Sequence, residues 1–148
     1  MEKIKVLFVC VHNSARSQMA EAFFNHYGEG KFIAESAGLN KGNLNPLVVK
    51  VMDEVGHDIS NNKVDSVFEF YKQHKLYSYV VTVCDQINGQ KCPIFPGVKD
   101  IIHWSFEDPS SFEGTIEQKI EKTREVRDSI QKRIIDFIEE LKIKHGIQ

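Results

Sequence analysis

The sequence predicts an α/β fold, a small four-stranded parallel sheet with helices on both faces. Short runs rich in β-branched and aromatic residues alternate along the chain with amphipathic segments of helical spacing. Strands that alternate with helices pair in parallel through right-handed crossovers. The sequence contains no repeat, linker or low-complexity tract, so we expect residues 1–148 to form a single domain.

The first half of the chain is predicted to supply two strands and two helices. In order, these elements are a strand over 4–9, a helix over 17–24, a strand over 31–35, a turn over 36–39 and a helix over 46–56. Gly28 is a suitable C-cap for the first helix. Asn45 and Pro46 are residue types preferred at the N-cap and at the first position of a helix.

The second half is predicted to supply two helices, two strands and a long loop. In order, these are a helix over 64–74, a strand over 77–83, a loop over 85–97, a strand over 98–103 and a helix over 115–145. We expect Val67, Phe68 and Tyr71 to form the buried side of the shorter helix. The loop is rich in turn-forming residues and poor in apolar anchors. The long helix carries an apolar stripe with a spacing of three or four residues: Ile116, Ile120, Thr123, Val126, Ile130, Ile134, Phe137 and Leu141.

Composition argues against several classes of partner. Lys and Arg number 19 against 21 Asp and Glu, which leaves no broad basic field for nucleic acid or anionic lipid. The N-terminus lacks the pattern of a signal peptide, and its apolar run is too short to span a membrane. Three cysteines are an odd number, which does not fit a disulfide framework. We therefore expect a protein of the reducing cytoplasm without a membrane or nucleic-acid partner. We also expect a monomer, although nothing in the composition determines the oligomeric state.

The stretch from Cys10 to Ser17 lies between the first strand and the first helix and is the candidate active site. A tight loop that leads into a helix directs several backbone N–H groups and the helix N-terminus at one place, which favours an anion. Cys10 adds a nucleophile, and Arg16, after five intervening residues, adds a planar clamp for a tetrahedral oxyanion. The predicted oxyanion-binding residues are those of the loop itself: Val11, His12, Asn13, Ser14, Ala15 and Arg16.

Each polar side chain of this stretch has an expected role. Cys10 is expected to be a thiolate, because helix N-termini and neighbouring arginines stabilise that form, and the Ser17 hydroxyl is a suitable donor to it. The fork of Arg16 matches two oxygens of a phosphate-like ligand, which a lysine could not do. Asn13 suits a strained loop position, and His12 is expected to point to solvent. The alternative for Cys10 is a small apolar residue buried at a strand end.

Residues at the ends of three predicted strands should meet at one edge of the sheet. Ligands of open parallel sheets bind beyond the carboxyl ends of the strands. Cys10 closes the first strand, Cys84 closes the third, and Asp108 follows the fourth by a few residues. Asp108 is therefore the candidate general acid that protonates a leaving oxygen. The alternative is that Asp108 and Pro109 form an ordinary turn.

Cys10, five further residues, Arg16 and then Ser17 form the signature of the cysteine-dependent phosphatases. Its position directly after the first strand resembles the low-molecular-weight tyrosine phosphatases and the arsenate reductases of the same fold, which implies a flavodoxin-type strand order. Four further segments, together with this loop, extend the resemblance to the thioredoxin-coupled arsenate reductases over essentially the whole chain: 80–85, 92–97, 103–105 and 108–109.

The resemblance implies an arsenate reductase that converts arsenate to arsenite, serves arsenical resistance and is regenerated by thioredoxin. Cys10 would attack arsenate while Asp108 assists loss of water. Cys84 would then displace arsenite, and Cys92 would resolve the disulfide. Cysteine pairs deliver two electrons through thiol–disulfide exchange, whereas a phosphatase needs only one cysteine. Two alternatives stay open. One is a phosphatase of phosphate monoesters, which would use Cys10, Arg16 and Asp108 and is also expected as a side activity. The other is a non-enzymatic oxyanion- or redox-sensing module.

Three features bear on the choice among these hypotheses. The gap between Cys84 and Cys92 is one residue longer than in the best-known relatives, so the geometry of the relay loop is left open. A zinc site at this pair would need a matching Cys/His pair elsewhere in the sequence, and the sequence contains none. The pair is therefore not expected to bind zinc. Ser110 stands where tyrosine phosphatases usually carry a tyrosine, which argues against phosphotyrosine as substrate.

No metal and no cofactor are predicted. Some relatives bind a potassium ion near residues that resemble Asn13, Ser36 and Asp65. Lys63 departs from the pattern of those relatives. We therefore do not predict the ion.

Overall fold

The computed structural model describes residues 3–12, 15–40, 42–83 and 95–147. In chain order, the elements of this part are β1 (Ile4–Cys10), α1 (Arg16–Tyr27), β2 (Phe32–Gly38), α2 (Pro46–Asp53), α3 (Val67–Lys72), β3 (Tyr79–Thr82), β4 (Asp100–His103), a 3₁₀ turn (Pro109–Ser111) and α4 (Ile116–Lys144). The predicted order of strands and helices is confirmed. The last two strands are shorter than the predicted ranges 77–83 and 98–103.

The four strands form one parallel sheet in the order β2-β1-β3-β4. β1 lies inside the sheet and pairs along its whole length with β2, as far as Cys10 opposite Gly38. Its other side pairs with β3, where Val9 lies opposite Thr82. The predicted parallel sheet with flavodoxin-type order is confirmed. Cys10 consequently lies at the carboxyl end of an inner strand, where this class of fold binds its ligands.

The side chains of β1 alternate between two hydrophobic cores, because successive residues of a strand point to opposite faces. Val6, Phe8 and Cys10 belong to the larger core, which α1, α2 and α4 cover. Leu7 and Val9 belong to the smaller core, which α3 covers. The sheet therefore has helices on both faces, as predicted.

β2 continues through residues that were predicted to form a turn. Ser36 and Ala37 are buried and lie opposite Phe8 and Val9 of β1. Local preference for a turn is overridden here because pairing with β1 satisfies backbone groups that would otherwise be buried without partners. The predicted turn over 36–39 is wrong for the residues up to Gly38.

α3 is shorter than predicted and buries a different side. Ser66 caps it and accepts a hydrogen bond from the N–H of Phe68 at 3.2 Å. Val67 and Phe70 are its buried residues, whereas Phe68 and Tyr71 are 42% and 46% exposed. The prediction of a buried side formed by Val67, Phe68 and Tyr71 is therefore correct only for Val67. The cap at Ser66 fixes where this six-residue helix begins and therefore which of its positions face the sheet. These positions are Val67 and Phe70, three residues apart.

α4 confirms the predicted long helix. Thr115 and Gln118 form a capping box at its start, with hydrogen bonds of 3.1 and 2.9 Å between side chain and backbone. The predicted stripe is buried from Thr123 to Leu141. Ile116 is exposed, which contradicts its place in the stripe, because only the residues from Thr123 onward reach the core.

The end of the predicted loop over 85–97 contains one buried aromatic residue. Phe95 is 1% exposed and belongs to the smaller core. Its ring lies 5.8 Å from that of Tyr71 and 5.2 Å from that of Tyr77, nearly perpendicular to both. The prediction that this loop is poor in apolar anchors is wrong at Phe95, because a fully buried ring is a strong anchor. Residues 84–94 lie outside the described part of the chain.

Candidate active site

Cys10 lies buried at the carboxyl end of β1. Its Sγ is 3.0 Å from the Oγ of Ser17, which is buried in the first turn of α1. A hydroxyl can donate a hydrogen bond to a thiolate. The structure thus brings together the predicted nucleophile and its predicted donor.

The N-terminus of α1 is open to an anion. Ala15 is the N-cap residue and provides no side-chain cap, and the first turn contains no acidic residue. The first N–H groups of a helix have no partner within the helix, and they carry the positive end of its dipole. A helix start of this kind, directly after Cys10, is suited to bind an oxyanion.

The guanidinium of Arg16 is buried and held in place by its neighbours. Nη1 donates a hydrogen bond to the backbone oxygen of Phe106 at 2.9 Å, and Nη2 lies 3.7 Å from Oδ2 of Asp108. Nε is buried and has no hydrogen-bond partner within the described ranges. A buried donor without a partner is costly, so an oxygen of a bound oxyanion at Nε would be stabilising.

Asp108 forms the turn that the sequence offered as one alternative, and its role as general acid stays a prediction. Its Oδ1 accepts a hydrogen bond from the N–H of Ser110 at 3.0 Å, so it begins the 3₁₀ turn at Pro109. Its Oδ2 lies beside Arg16, and the side chain is partly exposed to solvent. The hydroxyl of Ser110 accepts a hydrogen bond of 3.0 Å from Nδ2 of Asn45, the N-cap of α2. This contact joins the segment of Asp108 to a second element beside the site.

The other predicted loop residues are only partly described. Val11 is half-buried, His12 is exposed as predicted, and Ala15 is buried. Asn13 and Ser14 lie outside the described residues, so their roles stay predictions. A residue that was not predicted supports the loop: the N–H of Gly42 donates to the backbone oxygen of His12 at 3.1 Å, and a Cβ at this glycine would lie 2.8 Å from the Cβ of His12.

Cys84 and Cys92 also lie outside the described residues, so the structure does not test whether they approach Cys10. The residue before Cys84 is described, however, and it lies beside β1. The N–H of Val83, the residue before Cys84, donates to the backbone oxygen of Val9, the residue before Cys10, at 2.9 Å. β3 therefore runs beside β1 to the same edge of the sheet, as the strand order requires.

Glu21 is a titratable residue of the helix that starts at the candidate site, and the sequence analysis missed it. It lies on α1, and burial raises its pKa to about 7, although hydrogen bonds with Ser36 lower it. The negative charges of Glu35 and Asp65 raise the pKa further. A single glutamate on a helix with many apolar residues carries no sequence signal, because its burial depends on β2 and on the segment before α3.

The described residues contain no group of three or more His, Cys, Asp or Glu side chains that could hold a metal ion. No helix among the described elements combines the length and the hydropathy of a membrane span.

Comparison with known proteins identifies the family. Residues 5–146 match the low molecular weight phosphotyrosine protein phosphatase family. The chain is 40% identical over 139 residues to an arsenate reductase of Halalkalibacterium halodurans, which covers 94% of this chain and 98% of that protein.

Solved structures agree with this match. An arsenate reductase in a phosphate-binding state superposes with a TM-score of 0.76 at 34% identity, over 93% of this chain and 98% of the other. A thioredoxin-dependent arsenate reductase of Corynebacterium glutamicum superposes with a TM-score of 0.69 at 28% identity, over 96% of this chain and 63% of that one. The chain therefore belongs to the low molecular weight phosphotyrosine protein phosphatase family and, within it, to the arsenate reductases.

Proposed function

We propose that this protein reduces arsenate to arsenite through a relay of Cys10, Cys84 and Cys92 that thioredoxin regenerates. The observation that carries the proposal is the hydrogen bond between Val83 and Val9, the residues that precede Cys84 and Cys10. Phosphate ester hydrolysis has no use for a second thiol next to the oxyanion loop. Reduction of arsenate requires one, because this thiol must bond to the sulfur of Cys10 while the electron pair of the sulfur–arsenic bond stays with arsenic. The related enzymes named above, one of them thioredoxin-dependent, support the same function.

In the first step the Cys10 thiolate attacks arsenic, and a sulfur–arsenic bond replaces an arsenic–oxygen bond. Asp108 supplies the proton with which the departing oxygen leaves as water. Arg16 and the N–H groups at the start of α1 balance the negative charge of the oxyanion, and Ser17 stabilises the thiolate before attack. Arsenic is still pentavalent at this stage.

The second step is the reduction. The thiolate of Cys84 attacks the sulfur of Cys10, and the electron pair of the sulfur–arsenic bond stays with arsenic, which leaves as arsenite. Cys92 then attacks Cys84, which releases Cys10 as a thiolate and leaves a Cys84–Cys92 disulfide. A thioredoxin dithiol reduces this disulfide and is itself oxidised, so two electrons pass from thioredoxin to arsenic.

Hydrolysis of phosphate monoesters is expected as a side activity. It would use Cys10, Arg16 and Asp108 and then water, without the other two cysteines. Ser110 provides no aromatic surface beside the site, so small aryl phosphates are expected to be better substrates than phosphotyrosine proteins.

The proposal also covers the compartment and the oligomeric state of the protein. A relay of free thiols requires a reducing compartment, so we assign the enzyme to the cytoplasm. We treat it as a monomer, because all of the proposed residues belong to one chain. Light scattering on the purified protein tests the second point: a stable dimer would contradict it.

The decisive experiment measures arsenate-dependent oxidation of thioredoxin, followed as NADPH consumption by thioredoxin reductase. Wild type should turn over many times, whereas Cys84→Ser and Cys92→Ser should each stop after a single turnover or earlier. Both variants should retain hydrolysis of para-nitrophenyl phosphate. Loss of that hydrolysis in a folded Cys84→Ser or Cys92→Ser variant, or wild type that does not reduce arsenate, would contradict the proposal.

A further inference from the structure

Asp108, the proposed general acid, has one carboxylate oxygen held by the backbone and the other beside Arg16. Oδ1 accepts a hydrogen bond from the N–H of Ser110 at 3.0 Å. Oδ2 lies 3.7 Å from Nη2 of Arg16. Because Oδ1 already has a donor, the proton of the carboxyl group belongs on Oδ2. The position of Ser110 therefore determines which oxygen of Asp108 carries the proton beside the oxyanion site.

Ser110 is itself bound by a second element of the fold. Nδ2 of Asn45 donates a hydrogen bond of 3.0 Å to the hydroxyl oxygen of Ser110, and the two residues are 65 positions apart, so the contact is tertiary. Oδ1 of Asn45 accepts from the N–H of Leu47 at 2.9 Å and thereby caps α2. Since the cap needs the amide oxygen, the amide nitrogen is the group that is left for Ser110.

α2 is a firm support for the turn that Asp108 begins. Its residues Val48 and Met52 are fully buried, and the helix packs against α4. The turn is less firmly held, because it has only three residues, Pro109–Ser111, and Ser110 is exposed. The hydrogen bond from Asn45 therefore limits the positions that Ser110 and its N–H group can take.

The alternative is that Asn45 is only a helix cap. Asn, Asp and Ser are about equally good at the N-cap position, because each provides a side-chain oxygen there. The amide nitrogen of Asn45 adds nothing to the cap, and its partner is the residue whose N–H binds Asp108. The two roles of Asn45 can thus be separated by substitution.

We propose that Asn45 is a positioning residue for the general acid, which it acts on through Ser110. The inference rests on the proposed role of Asp108. In ester hydrolysis a sulfur–phosphorus bond forms at Cys10 while the bond between phosphorus and the ester oxygen breaks, and Asp108 gives its proton to that oxygen. In arsenate reduction the same proton joins a hydroxyl group of arsenate, which leaves as water. Asn45 takes no part in these bond changes and acts by fixing Asp108.

A misplaced acid has a recognisable kinetic signature. Phenolate is a basic leaving group that needs a proton as it departs, whereas 2,4-dinitrophenolate departs well without one. Loss of positioning should therefore lower kcat/KM for phenyl phosphate and leave kcat/KM for 2,4-dinitrophenyl phosphate nearly unchanged. Inorganic phosphate has no ester leaving group, so its inhibition constant should also stay the same. Damage to the oxyanion site would change all three quantities.

Two single variants and their combination remove the hydrogen bond. Asn45→Ser keeps an oxygen for the cap but is too short to reach Ser110, and Ser110→Ala keeps the N–H that binds Asp108. Ser60→Ala is the matched control, because the N–H of Ser60 donates to Oδ1 of Asp58 at 2.9 Å in a turn of the same form. Asp108→Asn shows the signature of a missing acid. Thermal unfolding shows that each variant is folded.

Each single variant should lower kcat/KM for phenyl phosphate about fivefold, and kcat/KM for 2,4-dinitrophenyl phosphate less than twofold. The double variant should be no worse than either single variant, because all three lack the same hydrogen bond. Ser60→Ala should behave as wild type.

Equal effects on the two esters, no effect on either, or single effects that multiply in the double variant would overturn the positioning role and leave the reductase standing. If Asp108→Asn affects both esters equally, Asp108 is not the acid, and the inference fails with that assignment. Wild type that reduces no arsenate would overturn the proposed reductase. The ester measurements would still decide the role of Asn45, because ester hydrolysis does not use the relay.

Discussion

The two faces of the sheet are built very differently. One face is covered by α1, α2 and the 29-residue α4 over the larger core, and this core includes Cys10. The other face is covered by the six-residue α3 and by the chain around Phe95 over the smaller core. Neighbouring residues of β1 point alternately into the two cores, so both faces meet at the strand that carries the proposed nucleophile.

This difference matches a division of chemical tasks. Arg16, proposed to bind the oxyanion, and Ser17, proposed to stabilise the Cys10 thiolate, start a helix that packs extensively against α4. The proposed relay must instead pass electrons outward, which requires a sulfur to change partners. Thin coverage of the α3 face makes local opening there less costly than on the α4 face. We therefore expect the proposed oxyanion site to be rigid and the α3 side to rearrange.

The largest expected effect is a loss of activity when Arg16, at the start of α1, is replaced. Arg16→Lys should lower both arsenate reduction and aryl phosphate hydrolysis about a hundredfold or more, because an ammonium cannot hold two ligand oxygens with the geometry of a guanidinium. Arg124→Lys, on the exposed side of α4, is the control and should change neither rate. Initial rates at saturating substrate check this, and an Arg16→Lys variant with near wild-type rates would show that the oxyanion site is placed elsewhere.

Stability should also differ between the faces. Phe24 contacts the rings of Phe8, Phe32 and Phe137 at 5.6, 6.1 and 5.9 Å, so Phe24→Ala should cost about 3–5 kcal/mol of unfolding free energy. Phe95→Ala should cost about half as much, because the exposed Tyr71 beside it can move into the space. Urea denaturation measures both values. Equal losses would mean that the α3 face is as firmly packed as the α4 face.

A smaller and pH-dependent effect is expected at Glu21. Its folded-state pKa of about 7 lies above the ordinary value of 4.5, so folding favours the protonated form. The stability contribution is complete below the ordinary pKa and is lost as pH rises through about 7, by about 3 kcal/mol in total. Glu35 and Asp65 add to this effect, whereas hydrogen bonds with Ser36 oppose it.

Glu21→Gln removes the titrating group and should abolish this part of the pH dependence. The difference in unfolding free energy between wild type and variant should therefore change between about pH 5 and about pH 8, in favour of the variant at the higher pH. Urea denaturation at the two pH values measures it. A constant difference would mean that Glu21 titrates as an ordinary surface carboxylate.

The sequence predicts those features that are local in the chain. The order of elements, the strand that ends at Cys10 and the helix that starts with Arg16 follow from short-range patterns, and the parallel sheet follows from their alternation. The position of Asp108 beside Arg16 also follows, because parallel strands bring their carboxyl ends to one edge.

The features that the sequence did not reveal depend on tertiary neighbours. Apolar spacing alone placed Phe68 on the buried side of α3. The cap at Ser66 determines which side of so short a helix faces the sheet, and apolar spacing does not reveal the cap. Phe95 follows turn-forming residues, and its place in the smaller core beside the rings of Tyr71 and Tyr77 makes it an anchor. Gly42 is needed only because the chain passes so close to His12.

Hydrogen exchange of the reduced protein and of the form with a Cys84–Cys92 disulfide tests the division of tasks most directly. We predict that the amides of α3 and of 95–98 exchange faster in the disulfide form, because the Cys84–Cys92 bond would constrain the chain that continues into the buried ring of Phe95. The amides of α1 and α4 should exchange at the same rate in both forms. Unchanged protection of α3 and 95–98, or equal loss of protection on α4, would contradict a rigid oxyanion site joined to a side that rearranges.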